Sequence, residues 1–304
     1  MIQQRAESES PEERGSEQRV SLIAHRGYAG VFPENTVAAF RRSLDADGPR
    51  RPDCIEFDVM PTGDGEVVVH HDQTLARVTD APPDIGDRHI WELPYDTIRE
   101  FDVLGSGSAV PTLESVLEAI PADVRLNVEL KNPGSTDLRT VENLDGDASR
   151  RQRERWDGFV ERTFDVLDGY SHDLLVSSFF EGALAASRAV DPSIPIAVIF
   201  NDSVQDGLAV ARRYDADAVH LPLNMVPGTA FSGTEYRGVG PFEGIDDRDL
   251  LSVAREEGRE VNAWTATTWY EAAEVREAGV DGIITDYPGL FHFEGATDRE
   301  TGQA

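Results

Sequence analysis

Two carboxylates stand two residues apart inside an apolar run, Cys54-Ile55-Glu56-Phe57-Asp58-Val59. On a strand, side chains two apart share a face, so Glu56 and Asp58 point together while Ile55, Phe57 and Val59 point the other way. Carboxylates held that close repel each other and must be partly protonated or bridged by a cation. The same alternation puts Asn127, Glu129 and Lys131 on one face of a later run, with Val128 and Leu130 on the other. Three carboxylates from neighbouring strands make an all-oxygen site suited to Mg2+ or Ca2+, with Mn2+ a further option. The competing reading is a simple Glu129–Lys131 ion pair.

Histidine supplies a second signal. His25 closes the run Val20 to His25, and His71 closes a short one at His70-His71-Asp72. Imidazole titrates near neutrality, so one ring can take a proton while another gives one. His89, His172, His220 and His292 are read as structural. Cys54 is the sole cysteine, so no intrachain disulfide can form, and its apolar surroundings make it a small core residue rather than a nucleophile.

The elements that would position these groups alternate regularly. β-rich runs span 20–25, 54–59, 126–130, 174–179, 194–200, 218–223, 260–266 and 282–286. Helical patterns lie between them: Thr36 to Leu44 after Asn35, Leu113 to Ile120 after Thr112, and Trp269 to Ala278 after Thr268, with Gly258 and Gly279 as helix ends. Eight strand–helix repeats imply a parallel sheet closed into a TIM (β/α)8 barrel, with a doubly wound open sheet as the alternative. In a barrel the apolar sets pack beneath the helices and the carboxylates face the lumen. The two histidines then sit at strand ends, where barrels carry catalysis. Residues 61–111, opening on the turn Thr62-Gly63-Asp64-Gly65 and Val67-Val68-Val69, are expected to form a small insertion after the second strand. Residues 133–153 read as a charged loop.

The chain of 304 residues suits one barrel over 20–290, with a disordered lead at 1–19 and a tail at 291–304. At 39% hydrophobic residues it can bury a sizeable core. Its net charge of −29, from 57 acidic and 28 basic residues, excludes a basic nucleic-acid footprint. Such self-repulsion is tolerable where salt at about 1 M shortens the Debye length to roughly 3 Å, and we read a halophile's protein. Lys131 is the single lysine, and an anionic ligand entering so acidic a protein needs a local positive centre. The polar start is no secretory signal and no run reaches membrane-span length, so a cytoplasmic location without a stable membrane anchor is expected.

In order along the chain, His25-Arg26-Gly27, Pro33-Glu34-Asn35-Thr36 with Ala39-Phe40, Ile55-Glu56-Phe57-Asp58-Val59, Thr62-Gly63-Asp64-Gly65 and Val68-Val69-His70-His71-Asp72 resemble the signature of glycerophosphodiester phosphodiesterases. Pro111-Thr112-Leu113, Asn127-Val128-Glu129-Leu130-Lys131, Ser177-Ser178-Phe179, Val261-Asn262-Ala263-Trp264-Thr265 and Thr285-Asp286-Tyr287-Pro288 continue it over roughly residues 20–290. The resemblance implies a TIM barrel hydrolysing glycerophosphodiesters to a glycerol phosphate and an alcohol. It implies that Glu56, Asp58 and Glu129 bind a divalent cation and that His25 and His71 serve as general acid and base. It also implies that Arg26 and Lys131 hold phosphate, that Glu34 supports the site, and that Trp264 lines the glycerol pocket. Pro52, Cys54 and Met60-Pro61 depart from the usual pattern around the second strand, and residues 139–155 look longer than usual. A sphingomyelinase-D-like phospholipase acting on intact lipids and a non-catalytic phosphodiester-binding barrel are the rival readings. Head group, oligomeric state, and whether water or a glycerol hydroxyl attacks stay open.

Overall fold

A computed structural model describes residues 19–46, 48–200, 202–237, 240 and 250–290. The lead up to Arg19, His292 and the tail from 291 fall outside the described residues, apart from Arg19 itself.

All eight anticipated strands form. They are β1 (Ser21–His25), β2 (Cys54–Pro61), β4 (Arg125–Leu130), β5 (Leu174–Ser178), β6 (Ile196–Ile199), β7 (Ala218–Pro222), β8 (Glu260–Ala266) and β9 (Gly282–Thr285). Each pairs in parallel with its neighbours, and the ring closes where β1 pairs with both β9 and β2. The remaining strand, β3 (Val67–Val69), runs antiparallel to the end of β2. The open-sheet alternative is thereby excluded, because a doubly wound sheet leaves two edges.

Crossovers carry α1 (Val37–Leu44), α4 (Leu113–Ala119), α5 (Gly146–Leu167), α6 (Glu181–Val190), α7 (Val204–Arg213), α8 (Leu250–Glu256) and α9 (Trp269–Ala278). Two single turns, α2 (Pro83–Gly86) and α3 (Tyr95–Ile98), lie in the insertion. β2 is buried along its whole length, as a parallel strand covered by helices outside and side chains inside must be. Ile55, Phe57 and Val59 pack outward with Phe40 of α1 and with Trp156, Phe159 and Val160 of α5. Ile23, Cys54 and Ile284, of opposite parity, meet inside the barrel, which confirms Cys54 as a small core residue. The insertion has a small core of its own around Met60, Leu75, Val78, Ile90, Leu93 and Val103.

Three local readings change. Thr36, not Asn35, caps α1: its hydroxyl accepts the Ala39 N–H, while Asn35 adopts a left-handed φ of 56° and turns its amide inward. β2 does not end at Val59, because Met60 and Pro61 go on to pair with Val68 and Val67 of β3. Residues 146–153 are helical rather than loop. Asp145 accepts the N–H groups of Asp147 and Ala148, and the charges pair along the helix, Arg150 with Asp147 and Arg153 with Asp157. The other helix starts hold, Thr112 capping α4 and Thr268 forming a capping box with Glu271 on α9; Gly279 ends α9 with a left-handed φ of 92°.

Candidate active site

Register brings the carboxylates together. Glu56 lies opposite Asn127, and Asp58 opposite Glu129, so the lumen-facing sets of β2 and β4 are level. Ligand atoms of Glu56, Asp58 and Glu129 all lie within 4.8 Å of one another, and all three residues are buried. Their surroundings separate their acidities. Burial, then the charges of Asp58 and Glu129, push the Glu56 carboxyl well above its ordinary range. Burial would raise Asp58 too, but His71, Arg26, Lys131 and His25 together hold it well below the usual carboxylate range.

The residues fit a hard divalent cation. Glu56 Oε1 and Asp58 Oδ1 are buried oxygens with no hydrogen-bond partner, an arrangement that costs free energy unless a cation or water takes them up. The second oxygens are already committed: Asp58 Oδ2 accepts from Asn35 Nδ2 at 2.9 Å, and Glu56 Oε2 accepts the Arg26 N–H at 3.1 Å. That division leaves one oxygen of each without a hydrogen bond. The Glu129–Lys131 pair is also present, at 2.8 Å, with Lys131 Nζ 3.5 Å from Asp58 Oδ1. The acidic triad and the ion pair thus coexist. Burial lowers the Lys131 ammonium, but Glu129 and Asp58 outweigh it and keep it charged.

His25 ends β1, and its Nδ1–H donates to Asp286 Oδ1 at 2.6 Å, so Nε2 is directed inward, 3.9 Å from Glu56 Oε2. His71 follows β3, and its Nδ1–H donates to Asp72 Oδ1, also at 2.6 Å. Each ring is therefore held in one tautomer by a carboxylate, with its other nitrogen free for proton transfer. Arg26, with a left-handed φ of 51°, follows His25 directly at the end of β1. There Nη1 donates to Glu34 Oε1 at 2.9 Å, and Nε lies 3.2 Å from Asp58 Oδ2. Burial would raise Glu34, but hydrogen bonds from Arg77 and the charges of Arg26 and Arg77 hold it at about 2.

A cavity of about 120 Å3 joins these groups, lined by His25, Arg26, Glu56, His71, Glu129 and Lys131 on one side. The other wall is mostly apolar, from Phe179, Ile199, Trp264 and Ile284, with His220 and Thr265 among them. Trp264 donates Nε1–H to the His220 carbonyl at 3.2 Å and meets Phe179 edge-on, with ring centres 5.6 Å apart. Lys131 Nζ lies 5.3 Å from the Phe179 ring centre, so charge and aromatic wall touch at one corner.

All nine residues singled out from sequence lie at or beside this cavity. Glu34 and Asp58 are reached through Arg26 rather than lining it. Sequence reasoning read His220 as structural and did not place it at the cavity, which it lines; burial holds it neutral at about 4, and its Nε2 accepts from Asn262. Its alternation with outward Val219 and Leu221 was the available signal. It also missed the orienting groups Asp286, Asp72, Asn35 and Arg77. Of these only Asp72 had a local cue, adjacency to His71. His89 stacks on Trp91, His172 bonds the Ile120 carbonyl, and buried His70 bonds the Thr74 carbonyl, in agreement with structural roles for His89 and His172. Among the described residues no helix is long and apolar enough to cross a membrane.

The chain is 27% identical to a glycerophosphodiester phosphodiesterase of Caldanaerobacter subterraneus subsp. tengcongensis over 88% of its own length and 94% of that protein's. It is 28% identical to a putative glycerophosphodiester phosphodiesterase of Bacillus subtilis, over 90% and 97%. Its fold is similar to that of an Oleispira antarctica phosphodiesterase solved in complex with the product sn-glycerol-3-phosphate, with TM-score 0.68, 24% identity, and coverage of 90% of this chain and 95% of that one. The model of the glycerophosphoryl diester phosphodiesterase family matches residues 25–290, from the histidine that closes β1 to just past β9, and the chain belongs to that family.

Proposed function

We propose that the protein hydrolyses glycerophosphodiesters to a glycerol phosphate and an alcohol, with His25 and His71 as the acid–base pair. The observation that carries this reading is the pairing of two carboxylate-held imidazoles at one cavity with a buried carboxylate triad, in which Glu56 Oε1 and Asp58 Oδ1 accept no hydrogen bond. Glu56, Asp58 and Glu129 would hold the divalent cation. When bound, it supplies Lewis-acid stabilisation of charge on phosphate oxygens.

The chain's own groups supply the rest. Arg26 and Lys131 place fixed positive charge where the phosphodiester's negative charge grows. One imidazole takes the proton of the attacking oxygen through its free nitrogen. The other donates a proton to the alcohol oxygen as the phosphorus–oxygen bond breaks, so the departing group leaves neutral. The apolar wall of Phe179 and Trp264 suits the carbon skeleton of a glycerol moiety, whereas the polar side suits the phosphate.

Turnover of glycerophosphocholine, glycerophosphoethanolamine and glycerophosphoglycerol in high salt, after chelation and then with Mg2+, Ca2+ or Mn2+, tests the assignment. We expect activity lost on chelation and restored by a divalent cation, with His25→Ala and His71→Ala each inactive. Turnover indifferent to chelation, or to both substitutions, would overturn it.

A further inference from the structure

We infer that Arg77 is a positioning residue for this reaction: it locks the carboxylate that orients His71 to the loop that follows β1. The inference rests on the acid–base role proposed above for His71.

The His71 imidazole is weakly supported by its own loop. Asp72 is adjacent to His71 on the loop leaving β3, and both side chains are partly exposed. An aspartate on such a loop has rotamer freedom, so by itself it cannot fix a ring. His25 has no such problem, because Asp286 follows directly on barrel strand β9.

Arg77 supplies the missing constraint. Its Nε donates to Asp72 Oδ2, the oxygen that His71 does not use. Its Nη1 and Nη2 donate as a fork to Glu34 Oε2 and Oε1, at 2.8 and 2.7 Å. One planar group thus joins two carboxylates whose loops are otherwise separate, one after β1 and one in the insertion. Only a guanidinium presents donors on both edges in one rigid plane; a lysine could reach one partner as a point charge. The backbone on either side is pinned, since Leu75 and Val78 are buried in the insertion's small core and Thr79 bonds back to the Leu75 carbonyl.

Arg77 is itself half-exposed, and ion pairs of that kind add little to global stability. Its effect therefore belongs in the chemical step. Arg26 should keep its place without Arg77, because Glu56 holds its backbone N–H and Asp58 lies 3.2 Å from its Nε. Phosphate binding then survives while proton transfer suffers.

The test is steady-state kinetics on Arg77→Gln, Arg77→Lys and Arg77→Ala, each also made in a His71→Asn background. We expect kcat to fall on the order of 10- to 100-fold in all three, as displacements near 1 Å do, with KM within about twofold. The cation-dependent rise in Tm should match wild type. Added guanidinium should restore part of the turnover of Arg77→Ala. The residual turnover of His71→Asn, read at high enzyme concentration, should not fall further on adding Arg77→Gln, since a residue acting through another has no effect once that one is gone. Wild-type kcat in Arg77→Gln beside a strongly impaired His71→Asn overturns the positioning role alone, as do fully additive losses. Full turnover in His71→Asn overturns the acid–base reading and the positioning role with it.

Discussion

His25 and Asp286 lie 261 residues apart and meet at 2.6 Å, because β1 and β9 are neighbours where the barrel closes. The contact joins the first strand's last residue to the loop after the final strand, and it determines which imidazole nitrogen faces the cavity. Asp286→Ala should leave the fold intact, since that side chain is partly exposed, and should lower kcat by about 100-fold through loss of tautomer and orientation. Kinetics with KM and kcat separated check this; near-wild-type kcat would show that His25 needs no partner.

The buried oxygens of Glu56 and Asp58 that accept no hydrogen bond predict a stability response to cation. Adding a divalent ion to chelated protein should raise Tm, by the equivalent of about 2.7 kcal/mol at a hundredfold excess over Kd. Asp58→Asn should abolish most of that rise. Differential scanning calorimetry with and without chelator reads it directly.

Glu56 adds a pH dependence to the metal-free protein. Its carboxyl is pushed up by burial and by its acidic neighbours, so the stability it contributes is complete below the ordinary carboxylate range and is lost as pH rises through the raised value. Metal-free Glu56→Gln should lack that loss with rising pH and melt no lower than wild type at neutral pH. A variant that melts well below wild type there would contradict the repulsion inferred for the triad.

Glu34 runs in the opposite direction. Held at about 2 against an ordinary value of 4.5, its carboxylate contributes stability that is present above 4.5 and disappears as pH falls toward 2. The Tm difference between wild type and Glu34→Gln should therefore shrink across that window. A difference constant from pH 7 to 2 would assign it to packing.

Lys131 sits 2.8 Å from Glu129 and 3.5 Å from Asp58, with Phe179 beside it. A guanidinium is larger and planar and demands a different geometry, so Lys131→Arg should fold normally and lose on the order of 100-fold in kcat/KM. Equal turnover would remove the reason for the chain's single lysine.

The sequence by itself determined what depends on local periodicity. Alternation with period two put Glu56 with Asp58 and Glu129 with Lys131 on common faces, because successive side chains on a strand must point oppositely. Eight apolar runs separated by helical patterns led to the barrel, and the strand-end placement of His25 and His71 was visible for the same reason. Local reading failed where two meanings compete for one residue. Asn35 could cap a helix in principle; only the Asp58 side chain beneath it explains why Thr36 takes that role. The charges of 146–153 looked like loop until Asp145 and the intrahelical pairs accounted for them.

Tertiary structure alone decided the relations between elements. No local pattern specifies that Asp58 pairs in register with Glu129, that Arg77 reaches Glu34, or that Asp286 meets His25. Those contacts follow from closing the sheet and folding the insertion over its end, and closure depends on the packing of the whole core. Chemistry-bearing residue types can therefore be read along the chain, whereas the partners that orient them are set by long-range geometry.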